Sequence, residues 1–336
     1  MKAVVYREKG DPVVLKLVDR DVPEPGPGEV RVRIRASGIN PADLVMRSNP
    51  RWPLPFPELT PHYDGAGEID AVGPGVGTFA RGDRAWLFGA VTPRAAGTAQ
   101  EFTVVPASSA RPLPDDASFE LGASLGIPAL SAHRALTVAE DGPRRLAPGA
   151  LEGWTVLVAG GAGAVGHAAV QLARWAGATV IATVSGPEKA ALATAAGAHH
   201  VVNYREGDPA TEIRTAAGGG VDLIVEVSVS ENIELDLAVL EIGGTIAVYA
   251  GTGRELHLDV TRNIALDVRY QFFYLFRDAE RLAAAADDVT AAVRDGAMGV
   301  GEEHGLPLLR FPLAETAAAH LAAENGVVGK VLLDLT

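Results

Sequence analysis

The segment Gly160-Gly161-Ala162-Gly163-Ala164-Val165-Gly166 constrains this chain more than any other. Gly161 to Gly166 match G-x-G-x-x-G. They follow the apolar, β-branched run Trp154–Ala159 and precede Ala168–Ala176, a stretch of helical composition. A strand that turns sharply into a helix beneath a pyrophosphate needs residues without a Cβ. They are needed in the turn, where the backbone meets the ligand, and where the helix packs on the strand. The start of that helix then offers N–H groups and a positive dipole end to the phosphates. The pattern alone is common, because glycine marks turns everywhere. Its place between a strand and a helix gives it weight.

The surroundings extend the same theme. Thr179–Thr183, His200–Asn203, Asp222–Glu226 and Thr245–Tyr249 read as strands, and Glu188–Ala196 reads as a helix among them. This β-α-β alternation predicts a doubly wound parallel sheet. Upstream of Phe119 the texture differs. Val30–Ala36 alternates apolar and charged residues, as a strand with one wet face does, and Gly67–Gly73 and Gly82–Trp86 suggest two more strands. Glycine and proline cluster at Pro23–Gly28, Pro50–Pro61 and Gly73–Gly77, as expected of short strands joined by turns. Ala139–Gly153 reads as a surface loop. The tail Gly329–Leu335 is strand-like and is expected to rejoin the first domain.

A length of 336 residues suits two domains. With 48% hydrophobic and 21% charged residues the chain can fill two cores, so global disorder is excluded. A net charge of −13 opposes binding to nucleic acid or to an anionic membrane, although a local site can still be positive. The absence of cysteine removes disulfides, thiol nucleophiles and thiolate metal ligands together. Met1–Tyr6 does not open a signal-peptide core, and no apolar run is long enough to span a bilayer. The expectation is a soluble, cytoplasmic protein.

The end of the second strand of the α/β region chooses between the two nicotinamide dinucleotides. An Asp or Glu there would bond the ribose hydroxyls of NAD. Here stand Thr183-Val184-Ser185-Gly186, with Lys189 on the next helix and Tyr204-Arg205 after the third strand. A carboxylate would repel a 2′-phosphate, whereas a hydroxyl, an ammonium and a phenol can bind one. The expected cofactor is therefore NADPH. Lys189 as a plain solvated helix residue is the competing reading.

Several further segments carry a resemblance that runs nearly end to end. They are Ser37–Asp43 (Ser-Gly-Ile-Asn-Pro-Ala-Asp), Asp64–Gly67, Ala71–Gly73, Phe79–Arg84, Leu125–Ala132, the glycine turn, Asn203–Glu206 and Gly329–Val331. On these the chain resembles the zinc-independent quinone oxidoreductases of the medium-chain dehydrogenase/reductase superfamily, the zeta-crystallin-like group. The resemblance implies a GroES-like, partly open β-barrel domain over residues 1–127 and 272–336. It implies a Rossmann NADPH-binding domain over 128–271, an active site in the cleft between the two, and a homodimer paired through the Rossmann sheet edge. Asn40 stands where the alcohol dehydrogenase relatives carry a zinc-binding Cys, and Tyr63-Asp64 stand where they carry His-Glu. His62 is one place out of register, which makes it a turn or packing residue. No metal site is expected.

The resemblance also implies cofactor contacts. Ala162, Gly163, Ala164 and Val165 would hold the pyrophosphate, with Ser185, Lys189 and Tyr204 around the 2′-phosphate. Ser230 would give a polar contact after the fourth strand. Tyr249, Ala250, Gly251 and Thr252, with Phe273, Tyr274 and Leu275, would flank the nicotinamide half, and Asn40 and Ser131 would lie near its ring. Ser131 replaces the usual Thr and keeps the hydroxyl, while Phe273-Tyr274 are bulkier than the usual residues. Pro50-Arg51-Trp52 departs from the relatives, and Trp52 is either a wall facing the substrate or the anchor of a surface loop.

Without a metal to polarise an alcohol, an electron-poor acceptor is the natural partner for a hydride. Reduction of a quinone is the expected activity. An enone or other activated alkene is the nearest alternative, and a non-catalytic NADPH-binding protein is a second one. Tyr63 is the first candidate to bond the developing oxyanion and Asn40 the second. Each has a structural reading beside it: Tyr63 as an aromatic lining, Asn40 as a turn residue before Pro41. Asp43 and Asp64 read as structural hydrogen-bond acceptors.

Overall fold

The computed structural model describes residues 1–251 and 255–335. They form two compact units, Met1–Ile127 with Pro307–Thr336, and Pro128–Leu306.

The first unit begins with an antiparallel pair, β1 (Lys2–Val5) and β2 (Lys16–Asp19). Next come β3 (Glu29–Gly38), the helix α1 (Pro41–Ser48), β4 (Asp64–Val72), β5 (Arg84–Leu87), β6 (Phe102–Pro106) and β7 (Ala110–Pro112). The alternation read in the sequence explains β3. Val30, Val32 and Ile34 are buried, while Arg31 and Arg35 point to the other face and pair with Asp70 and Glu68 of β4. The β3–β4 register slips between Arg31 and Val32 and again between Ile34 and Ala36. Such irregularities bend a sheet and let it curl. The helix α2 (Phe119–Leu136) carries the boundary between the units at Pro128.

The second unit is a six-stranded, wholly parallel sheet. Its elements in chain order are β8 (Thr155–Ala159), α3 (Ala164–Trp175), β9 (Thr179–Val184), α4 (Pro187–Ala195), β10 (His200–Asn203), α5 (Pro209–Ala217), β11 (Val221–Glu226), α6 (Val229–Val239), β12 (Leu240–Val248), α7 (Val260–Leu266), β13 (Arg269–Phe272) and α8 (Ala279–Arg294). The strand order β10-β9-β8-β11-β12-β13 reverses direction between β8 and β11. Ligands of such sheets bind outside the carboxyl ends of the strands at that reversal. Val156, Leu157 and Val158 are buried, as expected of a strand covered on both faces.

The chain then returns to the first unit through β14 (Leu308–Pro312), α9 (Thr316–Glu324) and β15 (Lys330–Asp334). In that unit's larger sheet the order is β14-β15-β3-β4-β5-β7, with β6 also paired to β3. The outer strands β14 and β7 are not joined to each other, so the barrel is partly open, as expected.

The return falls at Pro307 and not at residue 272, which corrects the expected domain limits. The reason is α8, which packs against α3. Its Asp288 accepts hydrogen bonds from His133 Nε2 at 2.8 Å, Arg145 Nε at 2.9 Å and the Leu146 backbone N–H at 2.8 Å. The same bonds tie down the loop Ala139–Gly153, which buries Leu146 and Leu151 instead of lying wholly on the surface.

Candidate active site

The glycine turn lies at the carboxyl end of β8 and opens α3. A Cβ on Gly166 would lie 2.3 Å from the Gly160 carbonyl oxygen, so this glycine is what lets the helix close on the strand turn. Gly163 differs. A Cβ there would meet nothing nearer than Gly160 O at 3.4 Å, so no protein atom excludes a Cβ. What glycine keeps clear at 163 is the space over the start of the helix. Gly163 is the N-cap of α3, no side chain caps the helix, and the first-turn N–H groups have no partner inside it. An anion fits there: donors and a positive dipole end face an unblocked volume.

Ser185, Lys189 and Tyr204 come together because β9 and β10 are neighbours with Val184 opposite Asn203. Lys189 Nζ lies 3.2 Å from Ser185 Oγ, and the Tyr204 N–H donates to Val184 O at 3.1 Å. Tyr204 is exposed, and the Arg205 guanidinium carbon lies 5.9 Å from its ring centre. Arg205, which follows Tyr204 in the sequence, thus accompanies it after β10.

Ser230 stands in the first turn of α6, beyond the end of β11, and Tyr249, Ala250 and Gly251 follow β12. The Tyr249 N–H donates to Glu226 O at 3.2 Å, and the Phe273 N–H to Val248 O at 3.3 Å, which sets these segments side by side. Tyr274 is exposed, Leu275 begins a 3₁₀ turn, and Ser131 is buried in α2. Thr252 lies outside the described residues. Glu226 itself is buried at the end of β11, where it accepts from the Ser228 N–H and, at 2.9 Å, from Asn232 Nδ2. Burial raises its pKa. Asp236 of α6 is pushed up to about 9, by burial and by the charge of Glu226. Burial, with the same charge, also raises the Tyr249 hydroxyl.

The first unit holds Asn40 and Tyr63. Asn40 is the N-cap of α1 and its backbone N–H donates to Asp43 Oδ2 at 2.8 Å. Its side chain joins a buried network. Lys330 Nζ donates to Asn40 Oδ1 at 2.7 Å and to Ile39 O at 3.0 Å, and Asn40 Nδ2 donates to Asp64 Oδ2 at 2.7 Å. Asp64 Oδ2 also accepts from the Ile127 N–H at 2.8 Å, while Oδ1 has no hydrogen-bond partner among the described residues. Burial pushes Asp43 up to about 7 and Asp64 up to about 6. The Lys330 charge works against both shifts. Tyr63 is nearly buried and lines a small pocket with Tyr6, Met46, Pro55 and Val91. Trp52 is 52% exposed in the loop after α1, beyond that lining.

Beneath Tyr63 runs a second buried chain that the sequence did not reveal. Arg47 Nε donates to His320 Nδ1 at 3.3 Å, and the Nε2 atoms of His320 and His62 are 2.9 Å apart. His62 Nδ1 lies 2.8 Å from Ser37 Oγ, which lies 2.7 Å from Thr98 Oγ1, and Thr98 donates to Asp64 O at 2.6 Å. His62 has φ 81°, a left-handed conformation that a bulky residue holds only when its surroundings fix it. This chain is the fixture. Burial lowers both histidines, His320 to about 3. Among the described residues no group of three or more His, Asp or Glu could hold a metal ion.

Comparisons with known proteins agree with this layout. Residues 26–115 match the alcohol dehydrogenase GroES-like domain, and residues 164–290 match a family described as zinc-binding dehydrogenase. A quinone oxidoreductase of Rattus norvegicus is 33% identical over 99% of this chain and 97% of its own length. A 2-haloacrylate reductase of Burkholderia sp is 30% identical over 95% of this chain and 94% of its own. A mycobacterial protein solved in complex with NADPH is 32% identical over 99% of each chain, with a TM-score of 0.80.

Proposed function

Because the chain belongs to the quinone oxidoreductase family of medium-chain dehydrogenase/reductases, we propose that it reduces a quinone with NADPH and without zinc. One observation carries the cofactor half of this reading. The uncapped start of α3 lies under the open glycine turn, and Ser185, Lys189 and Tyr204 gather at the ends of β9 and β10, where an NAD site would present a carboxylate. When bound, NADPH supplies a hydride from its nicotinamide ring.

The residues of the chain do the rest. Ala162–Val165 bind the pyrophosphate through backbone N–H groups, and Lys189 with Ser185 and Tyr204 binds the 2′-phosphate. Tyr249–Gly251, Phe273–Leu275 and Ser131 flank the nicotinamide half. Tyr63 donates a hydrogen bond to the acceptor oxygen that gains charge on reduction. Asn40 is the second donor for this role. Lys330 and Asp64 already engage its amide oxygen and one amide N–H, so a single N–H remains. With Asn at 40 and Tyr at 63 the site offers hydrogen bonds in place of metal ligands, which suits an acceptor that is already electron-poor. A homodimer completes the reading, since β13 is an outer strand of its sheet with Phe272 exposed on it. Light scattering checks that point.

An activated alkene is the alternative acceptor, favoured by the similarity to a 2-haloacrylate reductase. The test is NADPH oxidation with 1,4-benzoquinone, 9,10-phenanthrenequinone and a set of enones. Turnover of the quinones, with NADPH preferred to NADH, is expected. Turnover of enones alone moves the assignment to the alternative, and tight NADPH binding with no turnover of any acceptor overturns both.

A further inference from the structure

A pocket of about 610 Å³ in the second unit lies beside the carboxyl end of β13. Arg134 of α2, Arg277 of the 3₁₀ turn and Arg281 of α8 line it, against a single carboxylate, Asp278. That carboxylate is already engaged. Asp278 Oδ2 lies 3.2 Å from Arg281 Nε, and Oδ1 accepts the Arg281 N–H as the cap of α8.

Asp278 is also the negative charge that acts on Arg134. That arginine is half-buried, and among the described residues its guanidinium makes no hydrogen bond and no ion pair. Its guanidinium carbon lies 6.0 Å from the centre of the Phe273 ring. Burial and the charge of Arg281 lower its pKa, and the charge of Asp278 works against both. Arg277 likewise has no ion pair among the described residues. Three guanidinium groups crowded at a partly buried position repel one another, one carboxylate offsets only part of that charge, and an anion relieves the rest. This concentration of positive charge stands in a chain whose net charge is −13.

The remaining walls are apolar, chiefly Leu130, Phe273 and Leu275. The volume falls in the range of about 300–1,000 Å³ typical of small-molecule sites. We infer that this pocket binds an organic anion, with a carboxylate or sulfonate held by Arg134 and Arg281 and a flat apolar body against Phe273. Arg is suited to such a head group because its planar fork matches two oxygens at once. A neighbouring pocket of about 430 Å³ shares Arg134 and Arg281 and adds Arg144 and Arg145, but Glu140 and Glu280 line it too, so the anionic head belongs in the first pocket. The anion is either a substituent of the acceptor or a separate, unreacting ligand, and the test has an arm for each.

In the first arm the NADPH-loaded protein is titrated by calorimetry with naphthalene-2-sulfonate and with its neutral counterpart naphthalene-2-methanol. The sulfonate is expected to bind at least about tenfold more tightly, as losing one charged hydrogen bond implies. Arg134→Gln/Arg281→Gln, checked as folded by circular dichroism, is expected to abolish the difference. Equal binding of the two compounds, or a preference that survives the double substitution, overturns the proposal. The second arm compares kcat/KM for 1,2-naphthoquinone-4-sulfonate and 1,2-naphthoquinone. A sulfonate preference lost in Arg134→Gln makes the anion part of the acceptor. Sulfonate binding without such a preference makes it a separate ligand, and either result supports the pocket. Turnover of the neutral quinone tests the proposed reductase activity independently of both.

Discussion

Lys330→Met tests the buried network that supports the start of β4. The wild-type ammonium is 2% exposed and donates to Ile39 O and Asn40 Oδ1, while its charge holds down the pKa values of Asp43 and Asp64. Methionine keeps most of the volume and removes the charge. Among the described residues Lys330 makes no direct ion pair, so what is removed is its charge-assisted hydrogen bonding, a loss of about 1.5–3 kcal/mol. Two carboxyl groups are stranded here, so the upper part of that range is expected at about pH 7.5. The pH dependence follows from the same groups. Asp43 and Asp64 already have folded pKa values raised to about 7 and about 6, and losing Lys330 raises both further. A carboxyl raised in the fold favours folding at low pH, and that contribution is lost as pH climbs through its folded pKa. The deficit of the variant must therefore shrink as pH falls to about 5.5, by roughly 1.4 kcal/mol for each further pKa unit gained. Urea unfolding at both pH values measures this, and Lys330→Met/Asp64→Asn should recover part of the loss. A deficit below about 1 kcal/mol, or one equal at both pH values, would show that Lys330 does not hold these carboxylates.

Three further outcomes are expected. Lys189→Ala should lower the NADPH-over-NADH ratio in kcat/KM by about tenfold or more, since a charged hydrogen bond is worth roughly 1.5–3 kcal/mol; an unchanged ratio removes Lys189 from the cofactor site. Tyr63→Phe should reduce kcat/KM for quinones by about 10²–10³ with the NADPH dissociation constant unaltered, and undiminished turnover would leave Tyr63 as a wall of its pocket. Gly166→Ala places a methyl group 2.3 Å from Gly160 O, which backbone cannot easily yield. It should cost about 1–3 kcal/mol of stability and weaken NADPH binding, and a melting temperature within one degree of wild type would contradict the close packing of α3 on its turn.

Local pattern explains which features the sequence made legible. The alternation of β3, the apolar run of β8 and the glycine turn each state their structure within about ten residues, because pleat, burial and turn geometry act over that span. That Ser185, Lys189 and Tyr204 fall near neighbouring strand ends was readable too, since successive strands of a parallel sheet set their carboxyl ends side by side. The domain return was not. Residues 279–294 have an alanine-rich composition that would suit either unit, and packing on α3 together with Asp288, bound by His133 and Arg145, fixes their allegiance. Nor was the surrounding of Asn40 legible, because Lys330 lies 290 residues away along the chain. The pair His62 and His320, 258 residues apart, has no local signal at all.

That pair has a consequence for how protons travel. Arg47 can only donate, so His320 must accept at Nδ1 and carry its proton on Nε2. His62 must then accept at Nε2 and carry its proton on Nδ1, and Ser37 and Thr98 pass the same orientation to the Asp64 carbonyl. Every imidazole tautomer is thereby dictated. The head of the line is a guanidinium that does not release a proton, and its tail is an amide carbonyl that does not keep one. The line is an insulator. Two histidines stacked in the core, one of them next to Tyr63 in the sequence, thus brace the fold without relaying protons.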